Sequence, residues 1–323
     1  MLWGAFCATG AATQKVALQK GRTECQGVGV KIAFLACAET MPGSPERRPD
    51  AFEHDLQVGA LRDGLAGSAA EVVELDWRGS LDAIAACDLA LLGTAWNYTD
   101  HPAEFAARLD VLQARGVTVC NPPEVVRWNS DKSYLTELAA KGVPSIPTHW
   151  EEDPGEDQVN AAFAAFGTDR VVVKRRVGAG AIGQFSFRRG DPALDGWQMG
   201  QPALIQPFLP SIAEEGEYSF LFVDGEFSHA VLKRAAAGDY RIQSLFGGTE
   251  TAIRPGLDDI KAASEVMGML PFDEAPLYAR IDMVRGAGGR LCLMEAELIE
   301  PYLYPLQRRD FGKVLARAVL ARG

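Results

Sequence analysis

The sequence predicts an α/β N-terminal domain followed by an α+β region of two subdomains. Three observations carry that prediction. Over residues 31–122 short apolar runs alternate with helical spacing, the order that builds a parallel sheet with helices on its faces. Beyond residue 122 that alternation stops, and strand-like runs joined by tight turns take over. The length of 323 residues is enough to bury a large core divided among two or three units.

Each element has its own signal. "KIAFLAC" (31–37) is a short apolar strand. "AFEHDLQVGALRDGLAG" (51–67) has helical spacing and stops on Gly67. "AEVVELDW" (70–77) and "CDLALLGTAW" (87–96) are strands; "HPAEFAARLDVLQARG" (101–116) is a helix with Pro102 in its first turn and Gly116 at its end. "VTVCNP" (117–122) closes the first domain as a strand. A helix over 130–143 follows, opened by Ser130 or Asp131 and stopped by Gly142. Pro144 and Pro147 force an extended stretch after it. A short helix at 160–167 precedes strands at 170–177, 184–189 and 203–209. Residues 218–234 read as a hairpin turning at Asp224-Gly225, and 278–297 as a second. An amphipathic helix runs over 311–321. The domains are then 31–122, a central subdomain 123–205 and a C-terminal subdomain 206–323. Residues 1–30 lack a clear period and the layout of a signal peptide, and read as a poorly ordered extension.

Composition narrows the function. A net charge of −11 argues against non-specific nucleic-acid binding, which needs a basic surface to neutralise phosphates. No apolar run reaches the roughly 18–20 residues of a membrane span. Six scattered cysteines without a C-x-x-C pair read as reduced core thiols of a cytoplasmic protein. Four histidines without ligand spacing argue against zinc.

Two stretches carry chemistry. In "VVVKRRVGAGAIG" (171–183) an apolar strand delivers Lys174 to a loop with glycines at 178, 180 and 183. Such a loop lets backbone N–H groups approach anionic oxygens without a Cβ in the way, and the lysine adds a charge for phosphate. In "RIDMVRGAGGRLCLMEAELIEP" (280–301) a glycine turn joins two strands that carry Asp282, Glu295 and Glu297. Strand alternation places Arg280 and Asp282 on one side, and Leu293, Glu295 and Glu297 together on the returning strand. Three carboxylates on one face repel unless neutralised, and hard oxygen ligands suit Mg²⁺ shared with substrate phosphates.

Taken in order, these motifs resemble the ATP-grasp superfamily over about 290 residues, from Lys31 onward. The resemblance is to its glutathione-synthetase-like and ribosomal-protein-glutamate-ligase-like branch, and within that to the O-ureido-D-serine cyclo-ligase group of cycloserine biosynthesis. "NSDKSYLTELAAKGVPSIPT" (129–148) looks like the family segment that supplies a first phosphate lysine, here Lys132. "IQPFL" looks like the adenine hinge, with Gln206, Phe208 and Leu209, and "GEYS" puts Glu217 where the family binds ribose. "LKRAAAGDYRIQSLFGG" (232–248) is similar to a family region with Arg241 in the arginine position and Gly247-Gly248 near the reacting phosphoryl group. Gln243 and Glu297 depart from the asparagines that relatives carry. "GTAWNYTDHPAEF" (93–105) resembles a further element of the cyclo-ligase group, which leaves Trp96 and Tyr98 as core residues or substrate contacts.

The resemblance implies an ATP-dependent carboxylate–amine ligase working through an acyl phosphate. Its cofactors would be ATP and Mg²⁺, two ions, with Mn²⁺ as a substitute. Its partners would be small carboxylate and amine substrates, and relatives are often homo-oligomers. Arg241 and Arg280 would orient the carboxylate, because a guanidinium matches planar carboxylate and phosphate oxygens. Intramolecular cyclisation and a non-catalytic nucleotide-binding protein are the alternatives.

Overall fold

The structure is a computed structural model and describes residues 29–236 and 247–323. The predicted extension therefore lies almost wholly outside the described residues, as do Arg241 and Gln243.

Strands β1 (Lys31–Ala36), β2 (Glu71–Asp76), β3 (Leu89–Thr94) and β4 (Thr118–Cys120) form a four-stranded parallel sheet in the order β2-β1-β3-β4. Being covered on both faces, its inner strands are apolar throughout rather than alternating. The two-residue period still sorts the side chains. Ile32 and Phe34 of β1 point to one core, and Ala33 and Leu35 to another. Helices α2 (Leu81–Ala85) and α3 (Pro102–Ala114) cover the Ala33 face with Ile84, Phe105 and Leu109. The Ile32 face is covered by α1 (Phe52–Gly64) and by a helix from the far end of the chain, Phe311–Leu320. A Cβ on Gly64 would lie 1.9 Å from the carbonyl oxygen of Gly312, so these two helices touch backbone to backbone and only glycine fits.

Two further helices, α4 (Pro123–Asn129) and α5 (Tyr134–Ala140), follow. The central sheet is antiparallel, with β5 (His149–Glu151), β6 (Arg170–Arg175), β7 (Phe185–Arg188) and β8 (Ala203–Pro207) in the order β5-β8-β6-β7. Helix α6 (Glu156–Phe166) seals one face by setting Val159, Ala162 and Phe163 on Val171, Val173 and Ile205. The opposite-facing Val172 and Lys174 are left for other work.

After the short helix α7 (Ser211–Glu214) comes a five-stranded antiparallel sheet. Its strands are β9 (Glu217–Val223), β10 (Glu226–Arg234), β11 (Thr249–Ile253), β12 (Tyr278–Arg285) and β13 (Leu291–Glu297), in the order β11-β10-β9-β12-β13. Asp224 and Gly225, at φ +53° and +79°, make the predicted two-residue turn between β9 and β10. Helices α4, α5 and α8 (Leu257–Gly268) pack on one face through Tyr134, Leu138, Ala263 and Val266 against Phe220, Phe222 and Ile281. The last helix, α9 (Phe311–Leu320), crosses back to the first sheet as described. No described helix is long and apolar enough to cross a membrane.

Candidate active site

A cavity of about 440 Å³ is lined by residues of the central sheet, the five-stranded sheet and the loops and first helix around the first sheet. The central sheet contributes Val172 and Lys174 from β6 and Gln206, Pro207, Phe208 and Leu209 from the end of β8. The loop after β6 adds Gly178 to Ile182, and the α4–α5 connection adds Lys132. In this loop Gly180 and Gly183 take left-handed φ values of +63° and +69°. The far wall is the five-stranded sheet, with Glu217, Lys233, Arg280, Asp282, Met294, Glu295 and Glu297. Glu39, Arg48, Asp50, Glu53, Trp96 and Asn97 of the first domain form one end.

The far wall owes its order to strand register. Glu250, Lys233 and Glu217 sit side by side across β11, β10 and β9; Ser219, Asp282 and Glu295 across β9, β12 and β13; and Arg280 opposite Glu297. Lys233 thus falls between two acids and Arg280 opposite a third, where opposite charges attract, while Asp282 and Glu295 are like charges that need cations from elsewhere. Lys233 is ion-paired to Glu217 and lies 3.2 Å from Asp282. Ser219 donates to Asp282 at 2.5 Å, and the Arg280 guanidinium reaches Asp282 at 3.0 Å and also Glu297. Burial alone would raise Asp282, but Arg280 and Lys233 override it and hold the carboxyl well below its usual range. Glu217 goes the other way: burial outweighs Lys233 and lifts it to about 8. Burial likewise lifts Glu297 to about 7 against the pull of Arg280.

The prediction of three converging acids therefore needs two corrections. Their mutual repulsion is relieved by side chains of the protein itself, Lys233, Arg280 and Lys132. Lys132 Nζ stands 2.9 Å from Glu295 and donates to the Gly178 carbonyl at 2.5 Å. Among the described residues no group of three or more His, Cys, Asp or Glu stands in metal-holding array. Second, Leu293 does not share a face with Glu295 and Glu297. The β12–β13 register shifts between Asp282 and Met283, which turns Leu293 into the core with Met283 and lets Met294 line the cavity beside the two acids.

The outer edge of β13 is held by side chains. Asn129 donates to the Ala296 carbonyl at 2.7 Å and accepts from Leu298 N–H at 2.8 Å, while the Tyr134 hydroxyl accepts from Ala296 N–H at 2.9 Å. These bonds pair the backbone groups an edge strand would leave open, and they fix which way Glu295 and Glu297 point.

The near wall is different. Lys174 is half-buried, and among the described residues its side chain has neither an ion pair nor a hydrogen bond; desolvation depresses its ammonium below the ordinary lysine range. Gln206 is buried and spends its side-chain amide on Thr148 at 3.0 Å. Arg170 lies over the Phe208 ring at 3.8 Å. The loop's base is anchored by Arg176, which grips Asp131 at 2.9 Å.

Of the residues singled out from sequence, Lys132, Lys174, Gly178, Gly180, Gln206, Phe208, Leu209, Glu217, Arg280, Asp282, Glu295 and Glu297 all line this cavity. Gly183 lies beside it, between Ile182 and Gln184. Gly247 and Gly248 are described but do not line it. Trp96 lines the cavity, whereas Tyr98 is buried against Phe105. Lys233 and Glu300 were not singled out. A charged residue inside the apolar run "HAVLKR" was the available signal for Lys233.

Comparisons with known proteins agree with this architecture. A family model described as the N-terminal domain of D-cycloserine synthetase DcsG matches residues 32–121. The cycloserine biosynthesis protein DcsG of Streptomyces lavendulae is 29% identical over 274 residues, covering 79% of this chain and 89% of that protein. The crystal structure of D-cycloserine synthetase DcsG superposes with a TM-score of 0.74 at 26% identity, over 90% of this chain and 99% of that one. A D-alanine–D-alanine ligase from Bacillus anthracis, solved with ATP, superposes with a TM-score of 0.64 at 16% identity, over 91% and 97% of the two chains. The chain has the ATP-grasp fold and is similar along most of its length to the cycloserine-biosynthesis relatives.

Proposed function

We propose that the protein joins a small, amino-acid-like carboxylate to an amine at the expense of ATP, through an acyl phosphate, with ADP and phosphate as products. The observation that carries this reading is Lys174, a half-buried cation whose side chain has no ion pair or hydrogen bond among the described residues, beside a glycine loop and opposite a wall of carboxylates. An unpaired, partly desolvated ammonium is costly unless a ligand brings the counter-charge, and a nucleotide's phosphates do so. Val172, Ile146 and Met294 give the cavity an apolar section for the adenine, next to the backbone of residues 206–209. Lys132 and Lys174 hold phosphates, and the 178–183 loop closes over them. Glu217, already paired with Lys233, has its second oxygen for ribose hydroxyls.

Glu295 and Glu297 fit Mg²⁺: two carboxylates on one strand face, each partly open to the cavity. Asp282, opposite Glu295, would be the third ligand after loosening a bond to Lys233. Held by these carboxylates, Mg²⁺ would supply positive charge that offsets the charge of phosphoryl transfer. Arg280, with Arg241, orients the substrate carboxylate for attack on the γ-phosphate. The amine then attacks the acyl carbon, and phosphate leaves. No nucleophile on the enzyme is required, so catalysis rests on positioning and preorganised charge.

The likeness to D-cycloserine synthetase favours a second reading, in which the amine belongs to the same molecule as the carboxylate and a ring closes. Requirement for a separate amine distinguishes the two. The test of both is a phosphate-release screen over single and paired amino acids, with the nucleotide products separated by chromatography. ADP and phosphate are expected; AMP and pyrophosphate would overturn the acyl-phosphate mechanism.

A further inference from the structure

The charged groups of the cavity can be matched one against another. Asp282 and Glu217 are met by Lys233, Glu297 by Arg280, and Glu295 by Lys132. Asp50 takes both arms of Arg48, at 2.9 and 2.7 Å, and Glu250 faces Lys233 across the sheet. Of the acids on β13 and just beyond it, Glu300 is left over. It lines the cavity three residues beyond Glu297, and among the described residues it makes no hydrogen bond or ion pair.

We propose that Glu300 receives the protonated nitrogen of an amino-acid-like substrate and so makes the enzyme selective for ammonium-bearing molecules. The inference rests on the ligase reading and names the charge its substrate must carry. Its reasoning mirrors that for Lys174. A carboxylate out of water needs a counter-ion; where the protein offers none, a ligand cation can serve. Burial and the neighbouring Glu297 push the Glu300 carboxyl well above its usual range, and the pull of Lys132 and Arg280 does not offset them. Lys132, Glu295, Glu297 and Arg280 are the charged groups around it, and Tyr98 and Tyr278 are titratable neighbours. In the first domain's share of the cavity, Arg48 is taken up by Asp50, and Glu39 and Asp100 add further negative charge. A zwitterion would thus lie with its carboxylate toward Arg280 and its ammonium toward Glu300.

The test is calorimetry on the full chain loaded with AMP-PNP and Mg²⁺. One probe set is glycine and both enantiomers of alanine and serine. The other is the size-matched acetate, propionate and glycerate. Wild-type protein should bind at least one amino acid about tenfold more tightly than its partner lacking nitrogen, the worth of one charge-assisted contact. Glu300→Gln should erase that preference while AMP-PNP affinity stays within about twofold, and Glu300→Asp should keep part of it. If Glu300→Gln does not fold, Glu300→Asp must still show a reduced preference. An undiminished preference in a folded Glu300 variant, or none in the wild type, overturns the inference. Failure of the wild type to bind AMP-PNP would instead strike the ligase reading, and this inference with it.

Discussion

The two walls of the cavity are built on opposite principles. On the five-stranded wall Glu217, Lys233, Arg280 and Asp282 are all buried and all paired, from adjacent strands in register. On the central-sheet wall the Lys174 side chain is half-buried and, among the described residues, unpaired, next to a loop with left-handed glycines at 180 and 183. The first wall is complete in itself and holds its shape before anything binds. On the proposed function the second is complete only with a ligand. Under that reading a charge in the cavity serves stability on one side and binding on the other, depending on whether the counter-charge is in the chain.

Substituting one lysine from each wall sharpens the contrast. Lys233→Met removes the shared partner of two buried acids, so it should cost about 3–5 kcal/mol of stability, read from chemical denaturation. A melting curve like the wild type's would mean that this wall is not locked. Lys174→Met orphans nothing in the chain. It should leave the melting temperature unchanged or raise it, while ADP affinity falls about 100-fold by calorimetry. Unchanged ADP affinity would remove Lys174 from the phosphate site.

Two carboxylates of the paired wall should separate in the same way. Glu295→Gln should lower the rate about tenfold or more at fixed Mg²⁺, since this acid faces both Lys132 and Asp282. Glu297→Asn should retain most of the rate, because Arg280 keeps Asp282 as a partner. A titration of rate against Mg²⁺ decides, and equal behaviour of the two variants would place the metal elsewhere. The smallest effect is in dynamics. Backbone amides of residues 177–183 should gain hydrogen-exchange protection when ATP is added, while those of β9 and β12 change little. Equal protection with and without ATP would make the loop a fixed wall.

How much of this was legible beforehand varied with the range of the forces involved. The first sheet could be read because each strand there is followed by its own helix, with proline and glycine marking the ends. The β12–β13 hairpin could be read because its acids are anomalous in an apolar strand. The pairing of those acids with Lys233 could not, since strand order β10-β9-β12 is set by long-range contacts that no local period encodes. Strand β11 and helix α8 were also passed over. Only Ala263 and Val266 of α8 are buried, an apolar stripe too narrow to stand out. The shift beside Met283 was invisible for a similar reason: one extra residue in a strand reverses the faces without any turn residue to announce it.

The meeting of Gly64 with Gly312 has a consequence for biosynthesis. The first sheet is translated early, yet one of its faces waits for α9, which is made roughly 190 residues after β4, a delay on the order of 10–40 s at typical elongation rates. Until then Ile32, Phe34 and Leu89 have α1 but lack the part of their cover that α9 supplies. The nascent first domain should accordingly depend on chaperone shelter, and ribosome-bound chains halted before Phe311 should be digested by protease within the first sheet, whereas chains released with α9 should resist.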